Sequence, residues 1–130
     1  ILSVYAEKAK GSMASASETD LVFRRGYDKL LNGKNAVVVE DLTSTGLSLK
    51  KAVHTAQSAG ANVLAASVMV NKDPDNITSE TFGVPFMPLA TYPVTTYQPD
   101  ACELCKEGVE INTKIGHGKH FLEEQAKNES

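Results

Sequence analysis

The strongest constraint on the fold is the stretch Asn35-Ala36-Val37-Val38-Val39-Glu40-Asp41-Leu42-Thr43-Ser44-Thr45-Gly46-Leu47-Ser48. Ala36 to Val39 is a continuous apolar run rich in β-branched residues, the pattern of a strand buried on both faces of a parallel sheet. Glu40 and Asp41 stand at its carboxyl end, and the small, hydroxyl-bearing turn Thr43-Ser44-Thr45-Gly46 follows. From Leu47 to Ala59 the periodicity is helical: Leu49, Ala52, Val53 and Ala56 share one face, His54 falls on the solvated side, and Gly60 is a stop signal. Asn62 to Val70 is a second apolar strand. Strand, helix and strand in this order make a βαβ unit, which implies a right-handed crossover and a parallel sheet.

The turn carries the chemistry. Backbone N–H groups at a helix start, with the positive end of the helix dipole, favour a bound phosphate, and hydroxyls add donors. Gly46 lets the backbone approach the anion closely. Neither G-x-x-x-x-G-K-[ST] nor G-x-G-x-x-G occurs anywhere in the chain. A carboxylate beside a phosphate repels it, so Glu40 and Asp41 are expected to face sugar hydroxyls, a divalent metal, or both. A ribose 5-phosphate unit fits this layout. The bland alternative is a buried strand, a solvated turn and a capped helix, but that reading gives the Glu-Asp pair no purpose.

The totals narrow the class. One hundred and thirty residues suit one domain, and 42% hydrophobic with 22% charged residues is a globular composition. A net charge of -3 offers no argument for nucleic-acid or membrane partners. There is no run of eighteen apolar residues and no signal-peptide pattern, so a cytoplasmic protein is expected. Two cysteines three positions apart are too few for a secreted disulfide framework. The opening Ile1-Leu2-Ser3-Val4-Tyr5-Ala6, already in strand pattern, reads as a chain entered partway through a domain.

Around the βαβ unit, Ile1 to Ala6 is expected as a strand, Gly11 to Asp20 as an exposed loop, and Leu21-Val22-Phe23 as a strand hairpinned with the first. Tyr27 to Leu31 reads as a helical turn and Asn32 to Asn35 as a turn. Asn76 to Thr81 suits a short helix, and Phe86-Met87-Pro88-Leu89 an edge strand, because proline cannot donate to a ladder. From Ala90 to Ser130 the pattern is irregular and ends in a charged helical tail.

Val37-Val38-Val39-Glu40-Asp41-Leu42-Thr43-Ser44-Thr45-Gly46 resembles the phosphoribosyl-pyrophosphate (PRPP) motif of type I phosphoribosyltransferases. The surrounding order is similar to the orotate phosphoribosyltransferase branch: Tyr5-Ala6-Glu7-Lys8, a Gly/Ser/Ala loop, Leu21-Val22-Phe23-Arg24, Gly33-Lys34, then the motif. The ending Cys102-Glu103-Leu104-Cys105-Lys106-Glu107-Gly108 with Thr113 to Gly118 also looks like that of some orotate-transferase-like proteins. The resemblance implies an α/β fold with a Rossmann-like parallel sheet flanked by helices, a flexible loop hairpin and an irregular C-terminal segment. It implies one N-terminally incomplete domain, with a core over 1–90, a loop at about 9–20, and a hood or tail over 91–130.

It further implies a transferase that moves ribose 5-phosphate from PRPP to a nucleobase, orotate first, releasing pyrophosphate with the help of Mg2+. Glu40 and Asp41 would hold the ribose hydroxyls. Leu42, Thr43, Ser44, Thr45, Gly46 and Leu47 would hold the 5-phosphate. Lys8, Lys10, Arg24 and Arg25 would be candidate pyrophosphate contacts, with Lys10 counted beside Glu40 and Asp41 as catalytic. A loop over Lys10 to Asp20 would close on the site and exclude water. A complete family member has an earlier strand and a pyrophosphate-cradling loop, which would precede Ile1. Without them uncovered apolar surface is expected, relieved by a homodimer or by the missing piece. Two other readings stand beside catalysis: a PRPP-binding regulatory module, and a zinc-stapled structural module with a vestigial site.

Cys102-x2-Cys105 followed by His117-x2-His120 comes close to a Cys2His2 zinc pattern, with a shorter second gap than usual. A structural zinc, a reactive dithiol, and unligated side chains all remain open readings of these four residues.

Overall fold

A computed structural model describes residues 1–9 and 20–128, and the chain divides into two compact units, Ile1–Val94 and Thr95–Ser130. The first unit opens with a short antiparallel ladder, β1 (Glu7–Lys8) against β2 (Leu21–Val22). The expected hairpin is therefore present, but its first strand is displaced from Ile1–Ala6 to Glu7–Lys8. Apolar content alone does not make a strand; Leu21 and Val22 offer partners only to Lys8 and Glu7. Val4 and Phe23 instead pack against the core, and Tyr5 meets Tyr27 edge-on at 5.5 Å. The expected loop lies outside the described residues except at its ends, where the Ala9 N–H donates to the Asp20 carbonyl at 2.9 Å.

After α1 (Tyr27–Leu31) and a turn, β3 (Asn35–Thr43), α2 (Leu47–Ser58) and β4 (Asn62–Asn71) form the expected βαβ unit. A short α3 (Ser79–Phe82) leads to β5 (Phe86–Thr91). The three strands make a parallel sheet in the order β3-β4-β5, which puts the proline-bearing strand at an edge. This is the α/β parallel-sheet architecture expected of a type I phosphoribosyltransferase.

One face of the sheet is covered. Leu49, Val53 and Ala56 of α2 are buried against Val63, Ala66 and Val68, with Ile77, Phe82 and Val84 completing the core. Full burial of a side chain such as Leu49 contributes about 1.5–3 kcal/mol. The other face is open: Val39 is 70% exposed, Leu89 79%, and Val37, Met69 and Met87 are exposed beside them. Burial of β3 on both faces is thus not what this chain shows. Its side chains alternate, because α2 packs on one side and no described element of this unit covers the other. Uncovered apolar surface, as expected, is the result.

Two polar side chains among the described residues are buried, Thr43 and Asn71. Asn71, 2% exposed at the end of β4, donates to the Ile77 carbonyl at 3.1 Å and accepts from the Asp73 N–H at 3.1 Å. It folds the chain back after the strand and pairs in register with Thr43. Asn71→Ala leaves both backbone groups without this partner and is expected to lower stability by about 2 kcal/mol. Asn76→Ala, at an exposed position, is expected to cost under about 0.5 kcal/mol. Urea unfolding of the two variants measures the difference.

The second unit holds a 3-10 turn (Pro99–Ala101), α4 (Glu103–Lys106) and α5 (Gly118–Asn128). Exposed i,i+4 pairs, Lys119 with Glu123 at 4.0 Å and His120 with Glu124 at 3.6 Å, run along α5. No described helix is long and apolar enough to cross a membrane.

Candidate functional site

The turn between β3 and α2 is fixed by its own side chains. Thr43 is buried, and its hydroxyl accepts the Gly46 N–H at 3.0 Å. The Thr43 carbonyl accepts the Lys72 N–H at 2.9 Å, so the turn is also anchored to the end of β4. Gly46 takes the left-handed conformation, φ 75, and its carbonyl accepts the first helical N–H, from Lys50, at 2.9 Å. A side chain there would be strained, because a Cβ would lie 3.2 Å from Thr81 Cγ2 and 3.3 Å from Ile77 Cδ1.

The start of α2 carries no side-chain cap and no acidic residue in its first turn. Leu47 N–H makes only a long 3.5 Å contact with the Thr45 hydroxyl. Unfilled N–H groups at the positive end of a twelve-residue helix are the physical requirement for binding an anion. Glu40, Leu42, Thr43, Ser44, Thr45, Gly46, Leu47 and Ser48 line a hollow of about 200 Å³ here. That is less than the roughly 300–1,000 Å³ that encloses a whole drug-sized ligand, and it suits one end of a ligand. A more open hollow of about 390 Å³ lies along Asp28, Lys29, Asn32, Ser58, Ala59 and Gly60. It gathers neither the carboxylate nor the hydroxyls of the motif.

The two acids do different things. β3 runs on to Thr43, so Glu40 and Asp41 are consecutive strand residues and point to opposite faces. Glu40 is half-buried and lines the hollow; Asp41 is exposed, is not in the lining, and accepts the Leu42 N–H at 2.7 Å. Burial first, and the adjacent Asp41 charge second, push the Glu40 carboxyl above its ordinary value. The folded chain therefore holds this proton more tightly than the unfolded chain. The stability that follows is complete below the unfolded value and is lost as pH rises through the folded one. Glu40→Gln is accordingly expected to stabilise the free chain at neutral pH, with the gap in melting temperature closing as pH falls. Thermal melts of both proteins between roughly pH 4 and 8 measure it.

Of the expected basic contacts, Lys8 is exposed on β1, and Lys10 lies outside the described residues. Arg24 and Arg25 flank the Glu7 carboxylate at 3.6 and 4.0 Å, and Arg25 also lies 5.9 Å over the Tyr5 ring. Neither Lys8 nor the two arginines line the hollow. Ser48, beyond the matched motif, does; Asn71, in register with Thr43, and Thr81, whose methyl lies beside Gly46, are neighbours of the turn that the motif does not single out. Asn71 ends an apolar run just before Asp73-Pro74, a pattern for a side chain capping a turn, and that signal could have found it.

The zinc reading finds no support among the described residues. No three His, Cys, Asp or Glu side chains among the described residues gather as metal ligands, so Cys102, Cys105, His117 and His120 are not assembled as a set. The physical reason is helical: α5 begins at Gly118 and turns His120 toward Glu124. Of the two acids only Glu40 faces the hollow, and its carboxylate is a hard oxygen donor of the kind Mg2+ takes.

No protein-family model matches the chain. Among curated proteins it is similar to the orotate phosphoribosyltransferase of Carboxydothermus hydrogenoformans, 37% identical over 104 residues, which are 80% of this chain and 52% of that one. The corresponding protein of Acidithiobacillus ferrooxidans is 36% identical, covering 83% of this chain and 50% of its own length. That of Thermus thermophilus is 32% identical, with 85% and 61% covered. The chain spans about half the length of the curated relatives it matches. With the parallel sheet, the hydroxyl-lined helix start and these relatives agreeing, the chain belongs to the type I phosphoribosyltransferase family, in its orotate phosphoribosyltransferase-like branch.

Proposed function

We propose that the protein transfers ribose 5-phosphate from PRPP to a nucleobase, orotate first among them, with release of pyrophosphate. The observation that carries this reading is the uncapped start of α2 beside the half-buried Glu40 in one hollow. The 5-phosphate sits on the N–H groups and hydroxyls of Thr43 to Ser48. Glu40 accepts a ribose hydroxyl; Asp41, whose carboxylate accepts the Leu42 N–H, orients the backbone beside the turn and is the second acid assigned to the ribose hydroxyls. A ring nitrogen of the base bonds to C1 as the C1–oxygen bond to pyrophosphate breaks. The sugar passes through an oxocarbenium-like state, as in glycosyl transfer. A carboxylate fixed beside that centre stabilises the developing positive charge. Mg2+, when bound, would neutralise charge on the pyrophosphate, and Glu40 is the carboxylate of the hollow that would face it. Lys8 and Lys10 are the basic residues assigned to pyrophosphate.

The reading includes a cytoplasmic setting and a homodimer, and the open apolar strip Val37, Val39, Met69, Met87 and Leu89 supports a covered sheet face in the working assembly. The test is release of pyrophosphate from PRPP and Mg2+ by the native protein, base by base. Release that needs orotate supports the transferase. Saturable PRPP binding with no release for any base replaces it with a regulatory PRPP-binding module.

A further inference from the structure

The second unit carries chemistry that ribose transfer does not use. Cys102 is the residue that starts α4, and Cys105 lies one helical turn on; the Cys102 carbonyl accepts the Lys106 N–H at 3.1 Å. Both thiols are free, Cys105 exposed and Cys102 partly so. They stand one helical turn apart, and no group of three possible metal ligands among the described residues includes them. Residues three apart on a helical turn have Cβ atoms about 5–6 Å apart. A disulfide needs about 3.5–4.5 Å, so the backbone of this exposed four-residue turn must tighten by roughly 1–2 Å to close the gap, and rotamers then bring the sulfurs together. Hydrogen bonding from the Cys105 backbone first, and from the Cys105 side chain next, holds the Cys102 thiol below its ordinary value. Hydrogen bonding to Cys102 holds the Cys105 thiol above it. The two sulfurs are thereby divided into a first nucleophile and a resolving partner.

We propose that Cys102 and Cys105 form a reversible dithiol–disulfide site that a low-molecular-weight disulfide, such as glutathione disulfide, closes. Cys102, as thiolate, attacks one sulfur of glutathione disulfide. Its S–S bond breaks, and one glutathione leaves as thiolate and takes up the proton Cys102 gave to solvent. Cys105 then loses its proton and attacks the Cys102 sulfur of the mixed disulfide, and the second glutathione leaves as a thiol. Two protein thiols are oxidised by two electrons, and one glutathione disulfide becomes two glutathione thiols.

The test incubates the whole chain in glutathione buffers of rising oxidised fraction, quenches with a maleimide, and weighs the intact protein. The expected wild-type result is passage from two labelled thiols to none, with no retained glutathione and full reversal by a dithiol reductant. Cys105→Ser is expected to stop as a one-glutathione adduct on Cys102, and Cys102→Ser to form its adduct at least ~10-fold more slowly at neutral pH. The wild-type arm stands without the variants should either fold poorly. Two labelled thiols at every ratio, accumulation of glutathione adducts in the wild type, or thiols shielded until a chelator is added would each overturn the proposal, the last in favour of a metal.

Discussion

Glu40→Gln is expected to weaken PRPP affinity by roughly 10- to 100-fold while leaving the fold intact. A hydrogen bond to a charged acceptor contributes about 1.5–3 kcal/mol, and ~1.4 kcal/mol is tenfold in binding. Glutamine keeps the size and one acceptor oxygen at this half-buried position but removes the charge. The same substitution is expected to raise stability at neutral pH, since the carboxylate there is held against its own desolvation and the Asp41 charge. Opposite signs in binding and stability are what a functional carboxylate produces and what a merely structural one does not. Calorimetric titration with PRPP and Mg2+, alongside a thermal melt, reads both. The affinity that remains in wild type should fall as pH drops through the raised Glu40 value and show no such step in the variant.

The second large effect is expected at Gly46. Gly46→Ala forces a side chain into the left-handed region at φ 75 and brings its Cβ to 3.2 Å from Thr81, 3.3 Å from Ile77 and 3.4 Å from Phe82. The backbone part costs about 1–2 kcal/mol, and crowding a packed contact adds to it. The total, about 2–3 kcal/mol, corresponds to a melting temperature lower by roughly 7–11 °C for a chain of this size. Gly26→Ala is the matched control: its φ is 77, and a Cβ there meets nothing within 4 Å. It should show the backbone part alone. PRPP affinity should fall in the Gly46 variant and not in the Gly26 variant, because only Gly46 sets the direction of the N–H groups that open α2.

Much of this was legible in the residues. The apolar period of Leu49, Val53 and Ala56, the run Ala36 to Val39, and the stop at Gly60 are local signals, and the βαβ unit and its parallel sheet followed from them. The turn chemistry was equally local, since Thr43, Ser44, Thr45 and Gly46 are neighbours in sequence. What failed to show was set by partners distant in sequence. β3 continues to Thr43 because β4 continues to pair with it as far as Asn71, and that extension alone separates Glu40 from Asp41 across the sheet. The displacement of β1 reflects where β2 offers ladder partners, which composition does not encode. The cysteine and histidine spacing resembles a zinc site, and the described residues add no support to it; His120 pairs along α5 with Glu124.

The central claim is that the turn from Thr43 to Ser48 binds the phosphate of a ribose phosphate. Titration of ribose 5-phosphate into the isotopically labelled chain, followed by amide chemical shifts, tests it residue by residue. The account predicts saturable shifts at the amides of Thr43 to Ser48, with inorganic phosphate competing and Glu40→Gln weakening the sugar phosphate more than phosphate itself. A well-dispersed spectrum with no saturable shift on that turn, or shifts confined to the hollow along Asp28, Lys29 and Gly60, would contradict it.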